Sequence, residues 1–513
     1  MKKITVVWSL FLLLALTLLA GCSGDSDSIF IPYPPAPLSA SNTNLIFVVS
    51  PDLAYSTPGD IQPDTANLTS QGLNRSLQLA TYLKQQVLGS QNVTAIYALS
   101  PMTHLQTANK YPDMAAIGFI QQFALLNQMA LLVGAGPPYP ANSFPINVSY
   151  ASGSVPVSDG VAVPTAVPPA PAYCPDCTGL DFNNMNKNND TLVSGIIAAK
   201  KTGFYVFSAP WETISALMAN ITTQHGYNLK LPTTFSGSNY VYAISIPTSG
   251  NANASLVTYN SNLNPPASYP VLPAPVASAA CTHLQQSYFK TVRIGGVDGV
   301  TIPSNANTNQ RIYIVRHADA HPDPGFNFED GNYVGAGQWR ALSLSNALRG
   351  KISPNMVYSI DPAQWFTVYP PVNVSYVRPS LTVLPYAIAN NLPYSLASSF
   401  PLGTNPLDQG VAQTTSEYFF TGGKFSNQTV LLGWESGHVR PFLNWLIATY
   451  GGNNPPQLPT AAVPPNIPAG GWPHPDYDTI WTVTLDAKGN LTVDNELCEG
   501  IDSTKLPPTA PLF

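Results

Sequence analysis

Residues 311–322 read RIYIVRHADAHP. A run of β-branched and aromatic residues ends in Arg316-His317, so a strand delivers an arginine and a histidine to its C-terminal end. A neutral imidazole can attack phosphorus and hold the phosphoryl group covalently. A guanidinium beside it can take two phosphoryl oxygens at once and stabilise their charge in the transition state. Positioning and fixed positive charge suffice for such a transfer, so the pattern calls for no metal and no cofactor. In open α/β sheets ligands bind beyond the carboxyl ends of the strands, which is where this pair is expected.

The elements that must hold the pair are written twice. Asn44–Asp52 (NLIFVVSPD) parallels Gln310–Asp319 (QRIYIVRHAD), and both are buried-strand runs. Leu68–Leu83 follows the first with Thr69-Ser70 as a helix start and Gly72-x-x-Arg75 inside it. Val334–Leu348 follows the second, with Gly337-x-x-Arg340 in the same place. Thr94–Ala108 reads as a short strand running into a helix. Its counterpart is Met356–Ile360, a longer loop, then a helix in Val374–Ala389. Gly203–Met218 matches Gln428–Leu443, each a strand, a turn and an amphipathic helix. Asn239–Tyr259 and Asp476–Val493 each read as a closing hairpin. Strands alternating with helices imply a mostly parallel sheet covered on both faces. The expected fold is therefore α/β: two tandem three-layer α/β/α domains, each ending in a hairpin.

The domains are placed at 42–264, with a Pro-rich insertion at about 134–178, and at 310–500. A linker spans 265–309 and a C-terminal tail 501–513. The 513 residues are only 9% charged, with a net charge of −6 and no cluster of Lys and Arg. That argues against nucleic acid as a partner. Lys2-Lys3, the apolar run Ile4–Ala20 and Leu19-Ala20-Gly21-Cys22 read as a secretion signal over 1–22. The span is short for a membrane anchor. Its ending resembles a bacterial lipobox, which implies lipidation of Cys22 and a tether at 23–41. The expected location is the bacterial cell envelope, at the outer membrane facing the periplasm or cell surface ahead of the inner membrane. Four cysteines remain. Cys174 and Cys177 suggest a local disulfide, since no second Cys/His pair lies at zinc spacing. Cys281 and Cys498 then pair by elimination. No metal site is expected.

The Arg-His strand end resembles the hallmark of the histidine phosphatase superfamily, also called phosphoglycerate mutase-like. The resemblance covers the whole second copy and, in outline, the first. Gly337–Ala341 matches the family's Gly-x-x-x-Ala helix start, and Asp476–Trp481 a closing strand of a bacterial branch. Arg378, opening RPSLTVLPYA, matches the second pocket arginine, whose usual context is Arg-x-x-x-Thr-Ala. The resemblance implies His317 as nucleophile and Arg316 and Arg378 as the groups that bind a phosphate or a phosphorylated small molecule.

The chain also departs from the pattern. The family's second histidine falls in Trp-Glu-His, and here the run is Trp434-Glu435-Ser436-Gly437-His438. Either a two-residue slip brings His438 to the pocket, or Ser436 hydrogen-bonds phosphate without supplying charge. Asp319 and Glu435 are the carboxylates nearest in sequence that could give a proton, but the favoured reading of each is a solvated loop acid or helix cap. The first copy has Val49-Ser50 where Arg-His should stand and His104 where the second arginine should. It cannot run the same chemistry and reads as a degenerate partner. Three functions compete: an extracytoplasmic phosphomonoesterase, a phosphate-binding pseudo-enzyme, and a structural lipoprotein.

Overall fold

The computed structural model describes residues 35–55, 59–106, 110–127, 129–131, 139–141, 144–149, 179–248, 253–281, 292–294, 300–320, 330–369, 372–397, 409–450 and 476–513. Cys22, Cys174, Cys177 and most of the Pro-rich insertion lie outside them. The features below belong to the unit Ala36–Phe513.

In the first half the elements run β1 Asn42–Val49, α1 Ser70–Tyr82, β2 Ala95–Ala98, α2 Ala115–Leu125, β3 Met129–Leu131, β4 Tyr139–Ala141, β5 Ile146–Asn147, α3 Asn188–Ala199, β6 Gly203–Ala209, α4 Trp211–Gln224, β7 Tyr240–Pro247 and β8 Ser255–Asn260. The second half runs β9 Val292–Ile294, β10 Gln310–Arg316, α5 Gly335–Leu348, β11 Met356–Ile360, β12 Trp365–Tyr369, β13 Val372–Ser375, α6 Arg378–Asn390, β14 Tyr394–Ala397, α7 Gln409–Phe420, β15 Thr429–Trp434, α8 Ser436–Thr449, β16 Thr479–Leu485 and β17 Leu491–Cys498. The first sheet has the order β5-β2-β6-β1-β7-β8, the second β14-β11-β15-β10-β16-β17-β9. In each, four parallel strands are followed by an antiparallel hairpin. The fold class expected from the alternating pattern is the one found. β9, inside the stretch read as a linker, adds an edge strand to the second sheet.

The pattern works because both faces of the parallel strands are apolar. On β1, Ile46 and Val48 pack with Leu73 and Leu77 of α1, while Leu45, Phe47 and Val49 pack with Ile214 and Leu217 of α4. Helix α1 starts where Thr69 accepts a hydrogen bond from the Gly72 N–H at 3.0 Å. Trp434 and Trp481 are fully buried core residues, as their strand positions implied. Thr94–Ala108 departs from the expected strand and helix. Among the described residues after β2 there is a 3-10 turn at Pro101–Thr103, and the next helix, α2, starts at Ala115. Pro112 cannot supply a helical N–H, so the helix begins behind it, where Asp113 Oδ1 accepts from the Ala115 N–H.

One apolar core runs through both halves. Leu384 of α6 lies 3.1 Å from where a side chain on Gly118 of α2 would begin. Buried amides pin this contact: Gln121 Nε2 donates to Asn332 Oδ1 at 2.9 Å, and Gln338 Nε2 to Gln122 Oε1 at 3.0 Å. The stretch read as a tail is also built in. Thr509 O accepts from Trp339 Nε1 and Pro511 O from Gln122 Nε2. Cys281 and Cys498 lie at disulfide distance, with Cα atoms 5.6 Å apart. No helix among the described residues is long and apolar enough to cross a membrane.

Candidate active site

Arg316 ends β10, between parallel β15 and antiparallel β16, so the residue after it leaves the sheet at its carboxyl edge. His317 is still tied to that edge, because its N–H donates to Trp434 O at 3.1 Å. The His317 Nδ1 lies 2.9 Å from Ala318 O. A carbonyl only accepts, so Nδ1 carries the proton and the lone pair sits on Nε2.

Two tyrosines pack against this imidazole. Its ring lies 6.0 Å from Tyr477 and 6.3 Å from Tyr376, edge-on to both. Each tyrosine carries a guanidinium on its face: Arg316 is 4.1 Å from the Tyr477 centroid and Arg378 4.7 Å from the Tyr376 centroid. Such contacts stabilise by about 0.5–2 kcal/mol and fix the planes of the cations. Arg316 Nη1 also donates to Asp476 O at 3.2 Å. The three residues singled out from the sequence are thus gathered around two shared rings. They are 2–4% exposed, an enclosed setting in which charge acts more strongly than in water.

Arg378 is the first residue of α6, and two features hold it there. Gly331 O accepts from the N–H groups of Val377 and Arg378 at 2.9 and 3.0 Å. Gly331 has φ +76°, and a Cβ on it would fall 1.8 Å from Ser375 O, so the turn requires glycine. One turn on, Thr382 Oγ1 donates to Arg378 O and accepts from the Ala318 N–H, both at 2.7 Å. Thr382 therefore clamps the head of α6 to the backbone just past the end of β10.

Both candidate carboxylates are committed. Asp319 Oδ2 is 2.5 Å from Arg340 Nε, and Arg340 also reaches Glu499 Oε2 and Ser503 Oγ, each at 2.6 Å. A Cβ on Gly337 would come within 2.6 Å of Asp319 O, so α5 passes Asp319 with no room for a side chain. Glu435 caps α8. Its Oε2 accepts from the His438 N–H at 3.0 Å and lies 2.6 Å from His438 Nδ1, while Oε1 takes the Ser436 hydroxyl at 3.2 Å. Ser436 and His438 are thus both tied to Glu435, and His438 Nε2, buried, accepts or donates no hydrogen bond among the described residues.

Burial pushes the Glu435 carboxyl up, but the hydrogen bond and charge of His438, with Arg316 behind them, outweigh it and bring it down to about 2. A depressed folded-state value stabilises the fold above the ordinary carboxyl range. That stabilisation is lost as pH falls through about 2. We expect the wild type to lose about 2 kcal/mol more than Glu435→Gln between pH 5 and 2, read from urea midpoints at each pH. Equal acid sensitivity would refute the assignment.

Tyr376, Tyr477 and Thr382 carry the geometry but were not singled out as site residues from the sequence. Tyr477 lay inside the closing-strand match, and Thr382 at the threonine of the Arg-x-x-x-Thr context.

No protein-family model matches the chain, and no curated protein does. Among solved structures, it is similar to the native mycobacterial glucosyl-3-phosphoglycerate phosphatase, at 13% identity over 36% of this chain and 97% of that one, with a TM-score of 0.23. A complex of that phosphatase with inorganic phosphate matches at 12% identity over 38% and 100%, with a TM-score of 0.22. The protein histidine phosphatase SixA with tungstate matches at 20% identity over 37% and 97%, with a TM-score of 0.20. Likenesses of this size carry no argument about chemistry.

Proposed function

We propose that this chain is a lipid-anchored, extracytoplasmic phosphomonoesterase that works through a phosphohistidine. The observation that carries the reading is the pair Tyr376 and Tyr477: each ring meets the His317 imidazole and carries a guanidinium on its face, and the neutral imidazole with Nδ1 bonded to Ala318 O has its lone pair on Nε2. Arg316 and Arg378 hold the non-bridging oxygens. His317 Nε2 attacks phosphorus as the ester P–O bond breaks, and water then cleaves the P–N bond. Asp319, bound to Arg340, and Glu435, ionised at neutral pH, serve as positioning groups. His438, oriented by Glu435, protonates the leaving oxygen. The anchor is Cys22, and the host compartment the bacterial envelope, at the outer membrane.

A second reading is a pseudo-phosphatase that binds phosphate without turning it over. The Ser436 hydroxyl, standing where the resemblance puts a histidine, is turned to Glu435, and this favours it.

One experiment separates them. Membranes and soluble fractions of a bacterial host making the chain are assayed on an aryl phosphate with a chelator present. We expect slow, vanadate-sensitive hydrolysis in the membrane fraction, an acid-labile phosphoenzyme, and release of the activity to the soluble fraction by Cys22→Ala. No turnover, with phosphate or vanadate raising the melting temperature, selects the binding reading. Neither turnover nor a thermal shift rejects both.

A further inference from the structure

The corresponding edge of the first sheet carries the opposite charge. Ser50 N–H donates to Ala209 O as His317 N–H does to Trp434 O, so Val49, Ser50 and Asp52 stand where Arg316, His317 and Asp319 stand. The helix arginines differ in their partners. Arg340 binds Asp319, whereas Arg75 Nε binds Asp60 Oδ2 at 2.8 Å and leaves Asp52 to other company. That company is His104, whose Nε2 lies 2.8 Å from Asp52 Oδ2, and Asp113 at the head of α2. One ligand atom from each of the three lies within 4.8 Å of the others, and all three residues are buried.

The cluster is held in place from outside. His104 stacks on Phe182 with centroids 3.8 Å apart. Asp52 Oδ1 accepts from the Ala54 N–H, and its Oδ2 from Gln106 Nε2 at 3.1 Å. Asp113 Oδ1 accepts from the Ala115 N–H at 2.9 Å. Its other oxygen, Oδ2, is buried and has no hydrogen bond of good geometry among the described residues, with the Gln106 amide its nearest polar company. A second acid adds to the imbalance. Glu212, which hydrogen-bonds Tyr55, bears electrostatically on His104, and its Oε2 is buried with no hydrogen bond among the described residues. A buried carboxylate oxygen left bare is costly unless a proton or a cation meets it.

We propose that Asp52, His104 and Asp113 form a site for a first-row divalent metal ion, Zn²⁺ or Mn²⁺. Two carboxylates with one imidazole suit these ions, with bonds of about 2.0–2.2 Å, and the metal would replace the proton that His104 Nε2 and Asp52 Oδ2 now share at 2.8 Å. The Asp52 and Asp113 carboxylates already have the outer hydrogen bonds that keep metal ligands oriented. The site does not depend on the phosphatase reading, because it shares no residue with the second half. It lay outside reach of sequence spacing: 52 and 9 residues separate the three ligands, in no motif.

The test is calorimetric titration of the full chain, untagged, in detergent and stripped of metal, with Zn²⁺ and with Mn²⁺. We expect one equivalent bound, a raised melting temperature, and at least a thirtyfold loss of affinity in Asp113→Asn and in His104→Gln. His225→Gln should leave binding unchanged. Absence of binding overturns the proposal and leaves a cluster closed by a proton, consistent with burial pushing the Asp113 carboxyl up to about 7. Undiminished binding by Asp113→Asn overturns it as well. So do Mg²⁺ or Ca²⁺ binding equally well and indifferently to His104→Gln. If the variants fail to fold, nitrogen hyperfine coupling in the electron spin echo of Mn²⁺ bound to the wild type decides, since a site without imidazole shows none.

Discussion

We expect His317→Ala to abolish the proposed aryl phosphate hydrolysis, with a loss of about a thousandfold or more, and no phosphoenzyme to be trapped from it. The expectation follows from chemistry rather than packing. Removing a covalent nucleophile removes the path itself, and losses of about 10³–10⁶ are usual for such groups. The fold should tolerate the change, because the strand that ends at His317 is held by backbone bonds to β15 and β16. Phosphate should still bind, since both guanidiniums remain on their tyrosines. Hydrolysis within threefold of wild type, by a protein of unchanged melting temperature, would remove His317 from the mechanism.

Arg340→Ala destabilises the chain by about 3–5 kcal/mol, the range expected when one partner of a buried ion pair is removed. Arg340 is wholly enclosed and holds Asp319 from the nucleophile strand and Glu499 beyond β17 at once. Both acids are left buried without their cation when it goes. The loss is read as a fall in the urea midpoint. Arg340→Lys should recover only part of it, because one ammonium cannot make the fork that spans both carboxylates. A midpoint unchanged in Arg340→Ala would show that the two acids find other partners.

The layered architecture was legible because the hydrophobic runs of β1 and β10, and the spacing of α1 and α5, recur in the same order, and periodicity is a local property. Arg316 and His317 were legible for the same reason: adjacency in the chain fixes adjacency at a strand end. What brackets them was not. Tyr477 meets Arg316 across about 160 positions, and tyrosine is so common here, at 25 residues, that none stands out by type. The helix expected within Thr94–Ala108 fails because apolar spacing there comes from a turn pressed into the core, with Met102 and His104 buried. The 265–309 and 501–513 stretches looked like connectors because their roles are hydrogen bonds to distant parts of the same chain, which leave no period. The acid-histidine cluster escaped for that reason as well.

The amides buried between α2 and α5 have a consequence for motion. Two purely oily surfaces can slip past each other at little cost, but Gln121, Gln122, Asn332 and Gln338 accept only one alignment. Each misregistered amide would forfeit about 1–3 kcal/mol. These four side chains work as dowels. They disfavour any clam-like hinging of one sheet against the other, so any breathing that opens the enclosed imidazole to solvent has to be local to its own rim.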